Sequence, residues 1–331
     1  MNIIKQTTLA LLASGLLAFS SCDNELDLTA EYKEIGVIYG VINPADSLHI
    51  IRIQKAFLGE GNANVMAQVT DSLYYPDILD VQLHRIKDGE DIGSFPLTRF
   101  IGPPKDAGTF PSTPNILYKS NGEQLFRDSE YKIIVRNTQT GHVFDAQTPI
   151  VDSLRILRPT LNEKIRWANV NPVLVEYVPT PNGKVYNLTI RFFYSEEVAG
   201  SGNVVNKSMD WIFPNKVVTN PENVNSIQME IKGEDFYEFV AAKLPIVPGL
   251  NRYAGKMDFI YAAGAEFLAN YIAINQATTS ILTTPPYYSN VNGGTGIFSS
   301  RFIQVQKNKE MDAAALDELK TGDITGDLGF Q

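Results

Sequence analysis

The residue with the clearest chemistry is Cys22, the only cysteine among 331 residues. It follows a leader that carries Lys5, an apolar stretch over residues 9–19 and two serines. A positive start, a short apolar run and small residues before the cut are typical of a secretory signal peptide. We therefore predict that residues 1–21 are removed and that Cys22 is acylated, as in a bacterial lipoprotein. A disulfide would need a second cysteine.

The acyl chains are the predicted contact with the membrane. The apolar stretch is shorter than the roughly 20 residues that a helix needs to cross a bilayer, so it does not predict a permanent span. One acyl chain binds a membrane only reversibly, whereas two or three, at about 0.8 kcal/mol for each buried methylene, hold a protein stably. The leader departs from the usual motif at Phe19, where an aliphatic residue is common. Residues 22–30 are then a lipidated tether.

The residues directly after Cys22 are acidic, with Asp23, Glu25 and Asp27 in alternate positions. They resemble the signal with which Bacteroidota export lipoproteins to the outer face of the outer membrane. The alternative is a solvated tether whose like charges keep it extended. The first interpretation predicts a lipid-anchored outer-membrane protein that is exposed at the cell surface.

Other residues that support catalysis or metal binding show no productive spacing. His49, His84 and His142 fall in predicted strands without cysteines or paired carboxylates at ligand spacing. Glu196 and Glu197 are adjacent, and neighbours on a strand point to opposite faces, so we predict a solvated strand end and no acid–base pair. No Gly-x-Ser-x-Gly motif occurs. We predict neither an enzyme nor a cofactor or metal site.

The glycine-rich run at 292–296 has two interpretations. A phosphate-binding loop would need a following Lys, a Ser or Thr and a helix, and this run leads into a predicted strand. We therefore predict a turn at which the backbone comes close to its neighbour.

Aromatic residues near predicted loops are the candidates for contact with a partner. Rigid rings bury a large area at a small cost in conformational entropy, and for that reason they anchor interfaces. The same rings also serve as ordinary core, and periodicity alone leaves both interpretations open. The predicted partner-binding residues are Tyr74, Tyr75, Trp211, Tyr287 and Tyr288.

The composition limits the classes of partner. Lysine and arginine number 28 against 37 aspartates and glutamates, which gives a net charge of −9 at pH 7. Nucleic-acid binding depends on a basic face, so this acidic excess argues against it. With 44% hydrophobic residues the chain can bury a sizeable core, and its length suggests two domains.

The candidate residues lie on a chain that we predict to be mainly β, because apolar and polar residues alternate with a period of two in many short segments. Residues 130–135 and 142–148 predict a hairpin, in which Tyr131 follows Leu125 by six residues. This spacing resembles the tyrosine corner of immunoglobulin-like sandwiches, and the alternative is an ordinary strand tyrosine. The other strands predicted in this half are 35–42, 48–57, 79–86 and 94–101, with a long insert between residues 57 and 78.

The second half has the pattern of an α+β domain. Apolar residues at helical spacing predict helices over 235–244 and 265–276, and a helix over 312–320 precedes a tail that we predict to be flexible. The predicted strands are 154–157, 173–178, 186–194, 209–213, 226–231, 256–261 and 296–305. The organisation is therefore an immunoglobulin-like β-sandwich followed by a β-rich α+β domain with two or three short helices. The predicted limits are 31–152, 153–308 and, for the last helix and tail, 309–331.

Three segments of the C-terminal third carry a resemblance to a known family: 271–276 (YIAINQ), 284–290 (TPPYYSN) and 291–298 (VNGGTGIF). They are similar to the closing signature of a Bacteroidota outer-membrane lipoprotein family of unknown function, which pairs an immunoglobulin-like domain with a β-rich C-terminal domain. The resemblance extends over nearly the whole mature chain, and its motifs are structural. Members are often encoded beside TonB-dependent receptors, which implies such a receptor as a partner.

Three functions are compatible with these features. The leading hypothesis is a non-enzymatic accessory or binding subunit of a TonB-dependent receptor complex. The second is a free-standing surface protein that binds a carbohydrate or peptide for nutrient capture. The third, an unrecognised hydrolase, would require a cleft with converging carboxylates or a serine beside a histidine.

Overall fold

The structure is a computed structural model that describes residues 34–56, 63–168, 170–276 and 287–331. The signal peptide, Cys22 and the predicted tether lie outside these residues. Within them the fold is mainly β, with 46% strand and 15% helix, as the period-two pattern predicts.

The first eight strands form a sandwich of two sheets over one core. They are β1 (Gly36–Ile42), β2 (Ile50–Lys55), β3 (Leu79–Lys87), β4 (Glu90–Pro96), β5 (Thr98–Gly102), β6 (Asn115–Lys119), β7 (Glu130–Asn137) and β8 (Val143–Pro149). One sheet has the order β4-β3-β7-β8, and in the other β1, β2, β6 and β5 are neighbours. Alternate side chains such as Ile38, Ile51, Ile133 and Phe144 fill the core between the two sheets.

The sandwich differs from the predicted pattern in three places. The predicted strand 94–101 is two strands, because the chain passes from one sheet to the other at Leu97, whose N–H donates to the Val81 carbonyl at 2.9 Å. Strand β6 was not predicted. The insert contains two short helices, α1 (Ala63–Met66) and α2 (Thr70–Leu73).

The structure confirms the predicted tyrosine corner. The buried Tyr131 hydroxyl accepts a hydrogen bond from the Phe126 N–H at 3.0 Å. A second corner, which was not predicted, occurs at Tyr186, whose hydroxyl accepts from the Thr180 N–H at 3.1 Å. Both halves of the chain therefore use the same device to hold a loop against a strand.

The second half packs two sheets and two of its three helices over another core. Its strands are β9 (Arg155–Arg158), β10 (Val173–Val178), β11 (Val185–Val198), β12 (Val204–Ile212), β13 (Lys216–Val217), β14 (Ile227–Ile231), β15 (Leu250–Gly264) and β16 (Gly294–Lys309). The helices are α3 (Gly233–Lys243), α4 (Glu266–Gln276) and α5 (Ala313–Thr321). Strands β12, β11, β15 and β16 are neighbours, and β14-β10-β9 form a separate sheet. Phe192, Phe236, Phe259 and Leu319 lie in this core.

Strand β16 belongs to both halves. Its first part pairs in parallel with β1, from Gly36↔Gly294 to Ile42↔Ser300, and its second part pairs antiparallel with β15. Phe298 accordingly lies in the first core and Phe302 in the second. One sheet therefore continues from the first half into the second.

The tail that the sequence predicts to be flexible is packed against the second core. Leu328 and Phe330 are buried there. The buried Arg252 donates from Nη1 to the Leu328 carbonyl, and its backbone N–H donates to the Gly329 carbonyl at 2.8 Å. The prediction of a flexible tail is therefore wrong, because burial of these apolar side chains fixes a segment whose Gly and Asp content indicated flexibility.

Candidate partner-binding surface

The outer face of β1 carries an exposed tyrosine. Ile38 and Ile42 point into the first core, so the alternation of the strand turns Tyr39 to the opposite face, where 43% of it is exposed. The pairing of β1 with β2 places Tyr39 beside Arg52 on that face.

Tyr287 lies over the same part of the sheet and is the most exposed of the predicted partner-binding residues, at 71%. Its hydroxyl forms a hydrogen bond with the Thr295 hydroxyl of β16. Thr295 pairs with Val37, which is two residues from Tyr39 on the same face of β1. The pairing of β16 with β1 thus brings Tyr287 close to Tyr39.

Helix α4 adds a third ring through Tyr271. The pKa of the Tyr39 hydroxyl is raised, first by its partial burial and then by the neighbouring hydroxyls of Tyr271 and Tyr287. Tyr271 and Tyr287 are thus each close enough to Tyr39 to affect the ionisation of its hydroxyl. We call Tyr39, Tyr271 and Tyr287 the tyrosine surface.

Two glycines of β16 allow its backbone to lie close to that of β1, beneath the tyrosine surface. Gly296 has a φ of +109°, and a Cβ on it would lie 2.0 Å from the Ile38 carbonyl oxygen. A Cβ on Gly294 would lie 2.5 Å from the Gly36 carbonyl oxygen. The glycine-rich run is therefore a close backbone approach, as predicted, and no other residue type fits it.

The sheet around the tyrosine surface is basic. Arg52 donates from Nη2 to the Asn115 Oδ1 at 3.0 Å, and the Lys119 Nζ lies 5.0 Å from the centre of the Phe100 ring. Among the described residues, no outward position of β1, β2, β5 or β6 holds a carboxylate. This face therefore differs in charge from the acidic protein as a whole.

The other predicted partner-binding residues are less accessible. Tyr288 is half-buried, and its hydroxyl accepts from the Asn270 Nδ2 at 3.4 Å. Trp211 is also half-buried, because its position on β12 turns the ring onto Phe239 of α3, with the ring centres 5.2 Å apart.

Tyr74 and Tyr75 are buried, with 3% and 5% of each residue exposed. Tyr75 stacks on Phe144 of the first core, and the Tyr74 hydroxyl accepts from the Lys105 Nζ at 3.3 Å. These two rings hold the insert on the sandwich and do not present a surface to a large partner.

The three histidines have separate partners. His84 lies in β3, and its Nδ1 is 2.7 Å from the Asp91 Oδ2. His49 and His142 lie just before strands, where the sequence had predicted them inside strands. The His49 Nε2 is 3.1 Å from the Glu123 carbonyl oxygen, and the His142 Nε2 is 3.1 Å from the Gly293 carbonyl oxygen, just before β16.

The glutamate pair on β11 is divided between two faces, as strand geometry predicts. Glu197 accepts from the Tyr253 hydroxyl at 3.2 Å. Glu196, however, is not a solvated strand end: it pairs with Lys207 and, at 3.0 Å, with the Nε of the buried Arg252. Burial acts to raise the pKa of Glu196, but its hydrogen bonds to Lys207 and Arg252 lower it overall.

Two further features of the described residues bear on the site. No group of three His, Cys, Asp or Glu side chains in the described ranges could hold a metal ion. No helix within those ranges combines the length and the hydropathy that a membrane-spanning helix needs.

Comparison with protein-family models finds no match, and comparison with curated proteins finds none either. Among solved structures, a chain described as a cytokine receptor complex is 11% identical in sequence and has a TM-score of 0.21. That similarity covers 84% of this chain and 99% of the other. A TM-score this low does not support a common overall fold.

Proposed function

We propose that this chain is a lipid-anchored outer-membrane lipoprotein that binds a partner protein, as a non-enzymatic accessory subunit of a TonB-dependent receptor complex. The anchor rests on the leader and Cys22, and the receptor rests on the family resemblance of the C-terminal third. The observation that carries partner binding is the tyrosine surface, in which Tyr287 and Tyr39 are 71% and 43% exposed on one face.

The tyrosine surface has the properties of an interface centre. Tyrosine and arginine are enriched among the residues that contribute most to binding, and Arg52 lies beside Tyr39. The Tyr287 hydroxyl is already held by Thr295, so less side-chain entropy is lost when a partner covers the ring. The supporting strands β1 and β16 are paired over seven residues and form a rigid base.

A second candidate function is the capture of a carbohydrate. The polar side chains of Arg52 and Gln54 extend from β2 next to the outer face of Tyr39 and Val37. Flat rings beside a few hydrogen-bonding groups make up many small-ligand sites. This function would use the same surface without a receptor.

The test is affinity purification of the chain, tagged after the exposed Gln331, from gently solubilised outer membranes. We expect stoichiometric recovery of a TonB-dependent receptor, and loss of most of that recovery when Tyr39→Ala and Tyr287→Ala are combined. Tyr253→Ala is the matched control, because Tyr253 is 38% exposed on β15 and lies outside the tyrosine surface. Recovery of the chain alone, together with glycan binding that depends on Tyr39 and Tyr287, would favour carbohydrate capture. Equal recovery from all variants would contradict the role of this surface.

A further inference from the structure

A cavity of about 320 Å³ lies where the insert packs against the first sandwich. The insert contributes Thr70, Tyr74 and Tyr75 to its lining, β2 contributes Lys55 and β5 contributes Arg99. Small-molecule sites range from about 300 to 1,000 Å³, so this cavity suits a small ligand or a single chemical group.

The cavity is positively charged in an otherwise acidic protein. Within the described part of the chain, neither Lys55 nor Arg99 forms an ion pair with a carboxylate. Asp71 is the one carboxylate among the described lining residues, so Lys55 and Arg99 give the lining a net positive charge. Salt screens charges beyond about 8–10 Å, so these nearby cations, and not the net charge of the chain, decide which ligands are attracted.

Arg99 also has an unsatisfied donor. Its Nε atom is removed from solvent and forms no hydrogen bond of normal geometry among the described atoms, although the guanidinium group lies beside the Tyr118 hydroxyl. A buried donor without an acceptor is unfavourable, and a guanidinium group pairs two of its N–H groups with two oxygens of an oxyanion. We propose that this cavity binds a small oxyanion of the phosphate class, which Arg99 and Lys55 hold together. Tyr74 and Tyr75, predicted as partner contacts, would then form the wall of a small-ligand site.

The phosphate group has two sources. It is either a free anion or the headgroup of a membrane lipid, to which the proposed anchor at Cys22 would hold the protein close. Binding of the free anion does not depend on the proposed function, whereas the lipid source rests on the anchor.

Isothermal titration calorimetry tests the site with the full chain in a non-ionic detergent. The probes are inorganic phosphate, chloride at equal ionic strength, and dihexanoyl phosphatidylglycerol as a soluble lipid headgroup. We expect phosphate to bind where chloride does not. Lys55→Gln and Arg99→Gln should each weaken binding about tenfold or more, as expected for the loss of one charge-assisted hydrogen bond. Arg99→Lys should cost less, and Arg136→Gln, which removes an exposed cation from β7, should cost nothing.

Each outcome decides the proposal. Tighter binding of the lipid phosphodiester than of inorganic phosphate supports the site and identifies the lipid source, and the reverse order supports it with the free anion as ligand. Equal heats for phosphate and chloride overturn the site. An affinity that is unchanged in Lys55→Gln and Arg99→Gln chains that melt at the wild-type temperature also overturns it. If Arg99→Gln does not fold, Lys55→Gln at the end of β2 decides the question alone.

Discussion

Replacing Arg252 with methionine should unfold the second core at much lower denaturant, because this buried guanidinium ties three segments together. Its Nε donates to Glu196 at 3.0 Å, its Nη2 to the Pro245 carbonyl at 3.0 Å and its Nη1 to the Leu328 carbonyl. Only 1% of Arg252 is exposed, and its hydrogen bond to the Leu328 carbonyl is buried, so water cannot replace that bond.

The expected loss of stability follows from the groups that Arg252→Met leaves without a hydrogen-bond partner. Arg252→Met removes one of the two cations that pair with Glu196, the other being Lys207, and leaves the buried Leu328 carbonyl without its donor. At about 1–3 kcal/mol for each buried group left unsatisfied, we expect a loss of about 2–4 kcal/mol. Arg191→Met is the matched control, because Arg191 also pairs with a carboxylate, Asp210, at 2.7 Å but at the exposed edge of the sheet. Exposed pairs contribute about 0.2–1 kcal/mol.

Urea unfolding followed by tryptophan fluorescence measures this difference. Trp167 and Trp211, the two tryptophans of the chain, both pack in the second core, so the signal reports the region that Arg252 supports. With an m value of about 3 kcal/mol per M, Arg252→Met should lower the midpoint by about 0.7–1.3 M, and Arg191→Met by about 0.3 M or less. Equal shifts for the two variants, or a shift below about 0.3 M for Arg252→Met, would refute this reasoning.

Three further predictions concern the fold. Gly296→Ala should lower the free energy of unfolding by about 3 kcal/mol or more, because its Cβ would meet a carbonyl oxygen of β1 at 2.0 Å. Gly93→Ala is the control: this residue has a φ of +145° but no atom within 4 Å of the added Cβ, so it should cost only about 1–2 kcal/mol in urea unfolding. Tyr131→Phe should cost about 1–3 kcal/mol in the same assay, because it leaves the Phe126 N–H without its acceptor. Burial lowers the pKa of His49 from 6.5, so the folded state binds fewer protons than the unfolded state, and the wild type should lose stability as the pH falls below 6.5. His49→Gln should remove that part of the loss between about pH 7.5 and about pH 5.

Each of these predictions has a result that contradicts it. Equal losses for the two glycine variants would show that the approach of β16 to β1 is looser than the structure has it. An unchanged midpoint for Tyr131→Phe would mean that its hydrogen bond is replaced by water. The same pH dependence with and without His49 would place the titrating groups elsewhere.

The sequence predicts the strands well because their signal is local. Alternation over 186–194 and 130–135 places side chains on two faces whatever the strand pairs with, and both segments are strands. The tyrosine corner at Tyr131 is equally local, since the hydroxyl reaches backbone only five residues upstream. The corner at Tyr186 has a comparable spacing and could have been predicted from it.

The candidate surface could be predicted only in part. Tyr287 was found because it adjoins two prolines, and Tyr39 could have been found from the alternation of β1. Their proximity depends on the parallel pairing of β1 with β16, which joins the two ends of the described chain and has no local signal. Tyr74 and Tyr75 were misplaced for a different reason: α1 and α2 have four residues each, too few to show which face is buried.

The most direct test of the proposed function is photo-crosslinking in living cells with a photoreactive phenylalanine analogue in place of Tyr287. The same analogue in place of Tyr253, on another part of the protein, is the control. We expect a crosslink from position 287, but not from position 253, to a TonB-dependent outer-membrane receptor identified by mass spectrometry. Crosslinks to no such receptor from position 287, in cells where the protein is present at its normal level, would contradict it.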